Sequence, residues 1–265
     1  PYGMAVTSDT INYFQAARSF ATGEGFMNYY GYGQEGPMTH FPPFYAGLLS
    51  VGYFLGLGLP EWSRMAGAFL FGLNIVLVSL FTFYLTARVR AAVIAGASLL
   101  VFVHAVELHA AALSEPLFLS FVLAGTWALV CFMEKGQRSS LIMAAAFSGA
   151  CVMTRYLGIP FVVTGVAAIG LFSGRDLRTR LRDAGVYLFM AGAVPAVWFW
   201  RNMALTGRPH DFLTGFVREP GSVLARVLDV WSQYLFPAAV PLAVRGIVFV
   251  VVGCVLVYGL RRLRP

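Results

Sequence analysis

Charge is scarce in this chain. Asp, Glu, Lys and Arg make up 12% of its 265 residues, against 58% hydrophobic residues. Soluble globular domains carry about 25% charged and about 45–50% apolar residues, so this balance excludes an ordinary water-soluble domain and indicates a polytopic membrane protein. Cysteine is nearly missing. Cys131, Cys151 and Cys254 each fall inside an apolar run, which excludes a disulfide framework or zinc spacing and leaves them as small packing residues. Internal repeats and low-complexity tracts are lacking. The pairs Gly23/Gly25 and Gly31/Gly33 follow no strand, so a nucleotide-binding turn is excluded as well. Neither a Ser-His-Asp order nor a Cys-His pair suggests a nucleophile. The chain opens at Pro1 without a signal peptide, and Met4 would start it inside a polar loop. An upstream membrane helix is therefore expected to be missing.

The apolar residues that are present fall into seven runs between charges: 61–87, 91–110, 115–133, 139–155, 156–173, 184–204 and 236–260. A spanning helix needs about 20 mostly apolar residues; the fourth and fifth runs are short, with a turn expected near Arg155. The formal charge is +7, and its distribution fits membrane orientation rather than nucleic acid. Arg88, Arg90, Lys135, Arg138, Arg175, Arg178, Arg180, Arg182, Arg261, Arg262 and Arg264 are eleven of nineteen basic residues. All lie in connections on one side, where the positive-inside rule expects them. Nine of the twelve acids lie on the other side. The reading is an all-α, polytopic transmembrane bundle forming a single domain over 1–265. Residues 61–265 form the spans, with the C-terminus inside.

Residues 1–60 then form an outer loop. Residues 8–21 read as an amphipathic helix capped by Ser8 or Thr7 and followed by Gly23, with Ile11, Phe14, Ala17 and Ala21 on one apolar face. Residues 23–37 read as a Gly- and Tyr-rich loop. Pro42-Pro43 starts a second helix over about 43–57. Both helices are expected to lie in the membrane interface. Seven spans need no such anchors, so the two helices are expected to frame a site.

Several residues have chemical potential. Asp9, on the first turn of the first helix, is favoured there by the helix dipole and is also a candidate general base. His40 precedes Pro42-Pro43 at a helix start, where anions bind. Ser114-Glu115-Pro116 reads locally as a helix cap, yet Glu115 is on the same side as Asp9. His104 and Glu107 are one helical turn apart and suggest either a shared metal or a polar cluster facing the bundle. Arg155 is the lone charge in the run 139–173; intramembrane charges are usually paired or functional. Arg201-Asn202 follows an aromatic belt at the outer end of the sixth span.

Taken in order, Ser8-Asp9-x-x-x-Tyr13, His40-x-Pro42-Pro43-x-Tyr45, Ser114-Glu115-Pro116-Leu117-Phe118, Thr154-Arg155-Tyr156 and Arg201-Asn202-x-x-x-Thr206-Gly207-x-Pro209 resemble the GT-C superfamily of integral-membrane glycosyltransferases. The similarity is to the bacterial branch that uses polyprenyl-phosphate sugars, with lipopolysaccharide-core galacturonosyl, aminoarabinose and protein O-mannosyl transferases as relatives. The resemblance implies inverting transfer of a sugar from a polyprenyl-phosphate carrier to a glycan, lipid or protein hydroxyl. It places the site on the outer face of a bacterial inner membrane. It implies Asp9 and Glu115 as catalytic acids, His40, Arg155 and Arg201 as ligands of the donor phosphate, and Tyr13, Glu107 and Tyr156 in the substrate cavity. It implies no certain cofactor and leaves a divalent metal between Asp9 and Glu115 open. The competing readings are a transporter or flippase for a lipid-linked anion and a non-catalytic membrane scaffold. Secondary transporters tend to show repeats, which are missing here.

Overall fold

The computed structural model describes residues 6–29, 35–208, 241, 243–248 and 251. The chain divides into two compact units, Pro1–Asp211 and Phe212–Pro265. In the second, the described residues include a helical turn over 243–248. The first holds α1 (Ser8–Ala21), β1 (Met27–Tyr29), β2 (Glu35–Pro37), α2 (Phe44–Phe54), α3 (Leu59–Thr86), α4 (Val89–Val101), α5 (Val103–Ala110), α6 (Glu115–Lys135), α7 (Arg138–Thr154), α8 (Gly158–Phe172) and α9 (Leu177–Thr206).

The first helix has its predicted bounds. Thr7 caps it: its hydroxyl accepts from the Thr10 amide while the Thr10 hydroxyl accepts from the Thr7 amide, each at 3.2 Å. This reciprocal box satisfies two otherwise orphan donors. Only part of the apolar face read from the sequence packs on the protein. Thr10, Tyr13, Ala16, Ala17 and Ser19 are buried, whereas Ile11 is 51% exposed. The reason is the partner. Helix α2 approaches over the small Ala16 and Ala17, and Tyr13 can be buried because its hydroxyl finds a hydrogen bond. Residues 23–37, expected as loop, contain a two-stranded antiparallel ribbon pairing Met27 with Pro37 and Asn28 with Gly36.

The remaining helices form the bundle. Helix α3 packs on α4, α5 and α6, α7 lies against α6 and α9, and α8 rests on α9. The core between α6, α7, α8 and α9 is built from Ala128, Ala144, Ala145, Ala184 and Ala191 around Phe132 and Tyr187. Lipid tails are as apolar as Leu, so close packing over small residues and interhelical hydrogen bonds hold such helices together. Ser148 and Tyr187 supply one such bond, at 2.6 Å.

Helices α3, α6 and α9 are each long and apolar enough to cross a bilayer. The expected second span is broken: α4 and α5 meet at Phe102 with a bend of 64° and together would make a fourth. Helices α7 and α8 are apolar but shorter, at 17 and 15 residues. The seventh run, 236–260, lies mostly outside the described residues. Apolar helices of this kind make the chain an integral membrane protein. Polar groups gather at two ends of the bundle. One end carries Glu134 bonded to Tyr84, Lys135 over the Tyr84 ring and Arg175 over Phe132. The other carries α1, α2 and the start of α6. Helix α7 runs between them, about 25 Å at 1.5 Å per residue, so Arg138 and Arg155 stand at opposite ends.

Candidate active site

The break between α7 and α8 sets the site. Arg155 ends α7 in an extended conformation, φ −150° and ψ 136°, and the Gly158 amide bonds back to its carbonyl at 2.8 Å. Gly158 has to be glycine, because a Cβ there would run into the backbone of Cys151 and Val152. The tight turn aims Arg155 sideways at the start of α6. Its Nη1 lies 2.8 Å from Glu115 Oε1 and donates to Ser114 Oγ at 2.9 Å. The Tyr13 hydroxyl donates to the same Ser114 oxygen at 3.0 Å.

Ser114 therefore does not act as the expected cap. It occupies the N-cap position, but its side chain makes no capping bond; its oxygen joins α1 to α7 instead. Glu115 is only half satisfied. Oε1 holds Arg155, while Oε2 is buried without a hydrogen-bond partner among the described residues. A buried carboxylate oxygen left bare is costly and marks a place where a ligand or water belongs. Burial pushes the Tyr13 phenol well above its ordinary range, so it stays a neutral donor. Its bond to Ser114 and the charge of Arg155 oppose that shift, and the charges of Glu115 and Asp9 add to it. Asp9 is half-buried and so belongs to the same electrostatic neighbourhood.

The other predicted residues are placed differently. His40 meets Phe41 edge-on at 4.5 Å, and Phe41 contacts Tyr13 at 4.9 Å. The Tyr156 hydroxyl donates to the Thr39 carbonyl at 3.0 Å and accepts from Trp198 Nε1 at 3.1 Å. The Arg201 guanidinium donates to the carbonyls of Met38 and Phe26 and to Asn202 Oδ1, and it lies 4.4 Å over the Trp198 ring. Tyr156 and Arg201 thus tie the ribbon region onto the α7–α8 turn and α9. Glu107 is exposed on α5 and pairs with His104 at 3.1 Å. That pair faces outward rather than into the bundle.

Sequence reasoning missed the support beneath Glu115. Asn74 of α3 is fully buried. Its Nδ2 donates to the Pro116 carbonyl at 3.0 Å and meets His109 Nε2 at 3.0 Å, while Ser120 Oγ donates to its Oδ1 at 2.8 Å. His109 Nδ1 meets the Ala105 carbonyl at 2.6 Å, which makes Nδ1 the protonated nitrogen and Nε2 the acceptor. Thr10 adds a bond to the Ala112 carbonyl at 3.3 Å. The signal was there: Asn74 is the one amide in a 28-residue apolar helix, and polar groups at membrane depth usually have assigned partners.

Among the described residues no three His, Cys, Asp or Glu side chains converge on a metal position, and Glu115 Oε1 is already occupied by Arg155. The described protein side chains do not make a metal cradle by themselves. The cluster does offer a guanidinium with donor capacity to spare, a carboxylate with one bare oxygen and a second acid nearby. Such a set can grip an anion and accept a proton.

A family model described as dolichyl-phosphate-mannose-protein mannosyltransferase matches residues 40–200. That stretch includes Glu115 and Arg155 and leaves out α1. No curated protein matches the chain. The fold is similar to the crystal structure of ArnT from Cupriavidus metallidurans bound to undecaprenyl phosphate, with a TM-score of 0.56 and 19% identity. The match covers 77% of this chain and 38% of that one, so the chain spans well under half the length of that structure.

Proposed function

We infer function from one premise: the chain belongs to the dolichyl-phosphate-mannose-protein mannosyltransferase family, within the GT-C superfamily of membrane glycosyltransferases. On that premise it moves a sugar from a polyprenyl-phosphate carrier to an acceptor hydroxyl, with inversion, at the outer face of a bacterial inner membrane. The observation that carries this reading is the Arg155–Glu115 pair with its bare Oε2 atom. The Asp9 carboxylate takes the acceptor's proton as the acceptor oxygen attacks the anomeric carbon. The bond from that carbon to the carrier phosphate breaks, and its electron pair passes to the phosphate oxygen. The growing negative charge is met by the part of the Arg155 guanidinium that Glu115 and Ser114 leave free. Arginine suits this because its planar fork meets phosphate oxygens at two points. Glu115 holds that fork in register, and its free oxygen receives a sugar hydroxyl.

The carrier's tail has a place to lie. An apolar cavity of about 510 Å³ runs between α2, α3 and α6, walled by Leu48, Trp62, Phe69 and Leu117 among others. It reaches Ser120, little more than a turn of α6 from Glu115.

The test is Asp9→Asn, assayed with polyprenyl-phosphate sugar donors on protein whose helix content is unchanged. A general base contributes about 10²–10⁴-fold, so transfer should fall at least a hundredfold. Full transfer by that variant removes Asp9 as the base. Mass spectrometry of co-purified lipid tests the donor class; donor movement across proteoliposomes without glycosidic bond formation would favour the flippase reading.

A further inference from the structure

At the end of α7 far from Arg155, a second cavity of about 270 Å³ opens between α7 and α9. Its walls are apolar: Leu141 and Ile142 from α7, Val186 and Met190 from α9. Its rim is cationic, with Arg138 and Arg182 beside Asp183. Asp183 is already saturated. Its Oδ2 holds Arg175 at 2.6 Å, and its Oδ1 holds Arg182 at 3.0 Å. Three guanidinium groups therefore stand against one carboxylate. Arg138 is exposed and makes no side-chain hydrogen bond or ion pair with any described residue. An unneutralised cation over an apolar slot between two membrane helices is complementary to one kind of molecule, an amphiphile with an anionic head.

We propose that this cleft binds an anionic phospholipid, with its phosphate on Arg138 and Arg182 and an acyl chain along Leu141, Ile142, Val186 and Met190. The position agrees with the charge pattern. The cleft lies at the basic end of the bundle, where the positive-inside rule puts the leaflet rich in anionic lipid. It is separated from the Glu115–Arg155 cluster by the length of α7, so it is not part of the transfer site. Basic pockets between membrane helices on that side commonly hold lipid head groups.

The experiment uses the delipidated chain in detergent, with dioleoyl phosphatidylglycerol, dioleoyl phosphatidylcholine or sodium phosphate added separately. Native mass spectrometry reads bound lipid, and thermal unfolding reads stabilisation. Phosphatidylglycerol should be retained and should raise the unfolding temperature, while phosphatidylcholine should do neither. Arg138→Gln with Arg182→Gln should weaken phosphatidylglycerol retention about 25-fold, since each basic side chain near such a surface contributes roughly a fivefold factor. Should the double variant lose its helical spectrum, Arg138→Gln alone carries the test. That side chain has no partner to lose, and its removal should cost about fivefold. Equal retention by wild type and Arg138→Gln overturns the proposal. So does equal binding of the two lipids, or an effect of sodium phosphate alone that matches phosphatidylglycerol and marks a free-anion site.

Discussion

Both ends of the bundle contain an arginine–carboxylate pair, and the two pairs are finished differently. At the basic end Asp183 is buried, with its side chain 8% exposed, and each of its oxygens has a guanidinium. At the other end Glu115 is one-third exposed and has one oxygen on Arg155 and one with no hydrogen-bond partner among the described residues. A saturated carboxylate fixes structure and has no acceptor left over. An unsaturated one keeps a donor fork and an acceptor in place at a cost in stability, which a ligand can offset. The difference separates an ion pair complete within the fold from one that leaves an oxygen open to a ligand, as the proposed function requires.

That contrast can be broken by exchanging the two outcomes. Arg155→Ala should lower sugar transfer by about 10²–10³-fold, the cost of losing one donor aimed at developing charge. The loss should appear with every phosphate-linked donor. Arg155→Lys should restore only part of it, because an ammonium cannot replace the fork. An unchanged donor dependence in steady-state kinetics would return Arg155 to the structural class. Asp183→Asn should do the reverse. Unfolding should become easier by about 1–2 kcal/mol, given that both arginine partners are partly solvated, with transfer per folded molecule untouched. A hundredfold kinetic loss there would erase the distinction.

Asn74→Leu probes the support beneath Glu115. Interhelical hydrogen bonds in membranes average about 0.6 kcal/mol and reach about 1.7. A loss of about 1 kcal/mol is expected, with a several-fold fall in kcat because the Pro116 carbonyl at the start of α6 is released. Tyr13→Phe is the mildest. It removes one bond to Ser114, worth about 1 kcal/mol, and should lower transfer less than Arg155→Ala. It should also flatten the alkaline limb of stability. The folded phenol titrates above the ordinary value of about 10, so its contribution is fully present below pH 10. It is lost as pH rises towards the folded value. Wild type should weaken above pH 10 more steeply than the variant does in thermal unfolding.

Much of the helical layout was legible from hydropathy. The bounds of α1, α3 and α6 and the turn at Arg155 lie within a few residues of where the charges and prolines put them. The break at Phe102 was not legible, because no proline or glycine marks it. The protein-facing side of α1 was not legible, because Thr10 and Ser19 are less apolar than Ile11 and are buried through bonds to the Ala112 and Ala16 carbonyls. Arg155 and Glu115 stood out as charges in apolar or capping contexts. Nothing local, however, indicated that Arg201 would be occupied by the Met38 and Phe26 carbonyls, 163 and 175 residues away.

By itself the sequence determined that this chain lives in a membrane, where its helices run and which ends are basic, since burial in lipid depends on apolarity summed over about 20 neighbouring residues. The tertiary structure alone decided which polar groups are occupied and which stay available. Hydrogen bonds act only within about 3 Å, and the atoms that met at Ser114 come from positions 13, 114 and 155.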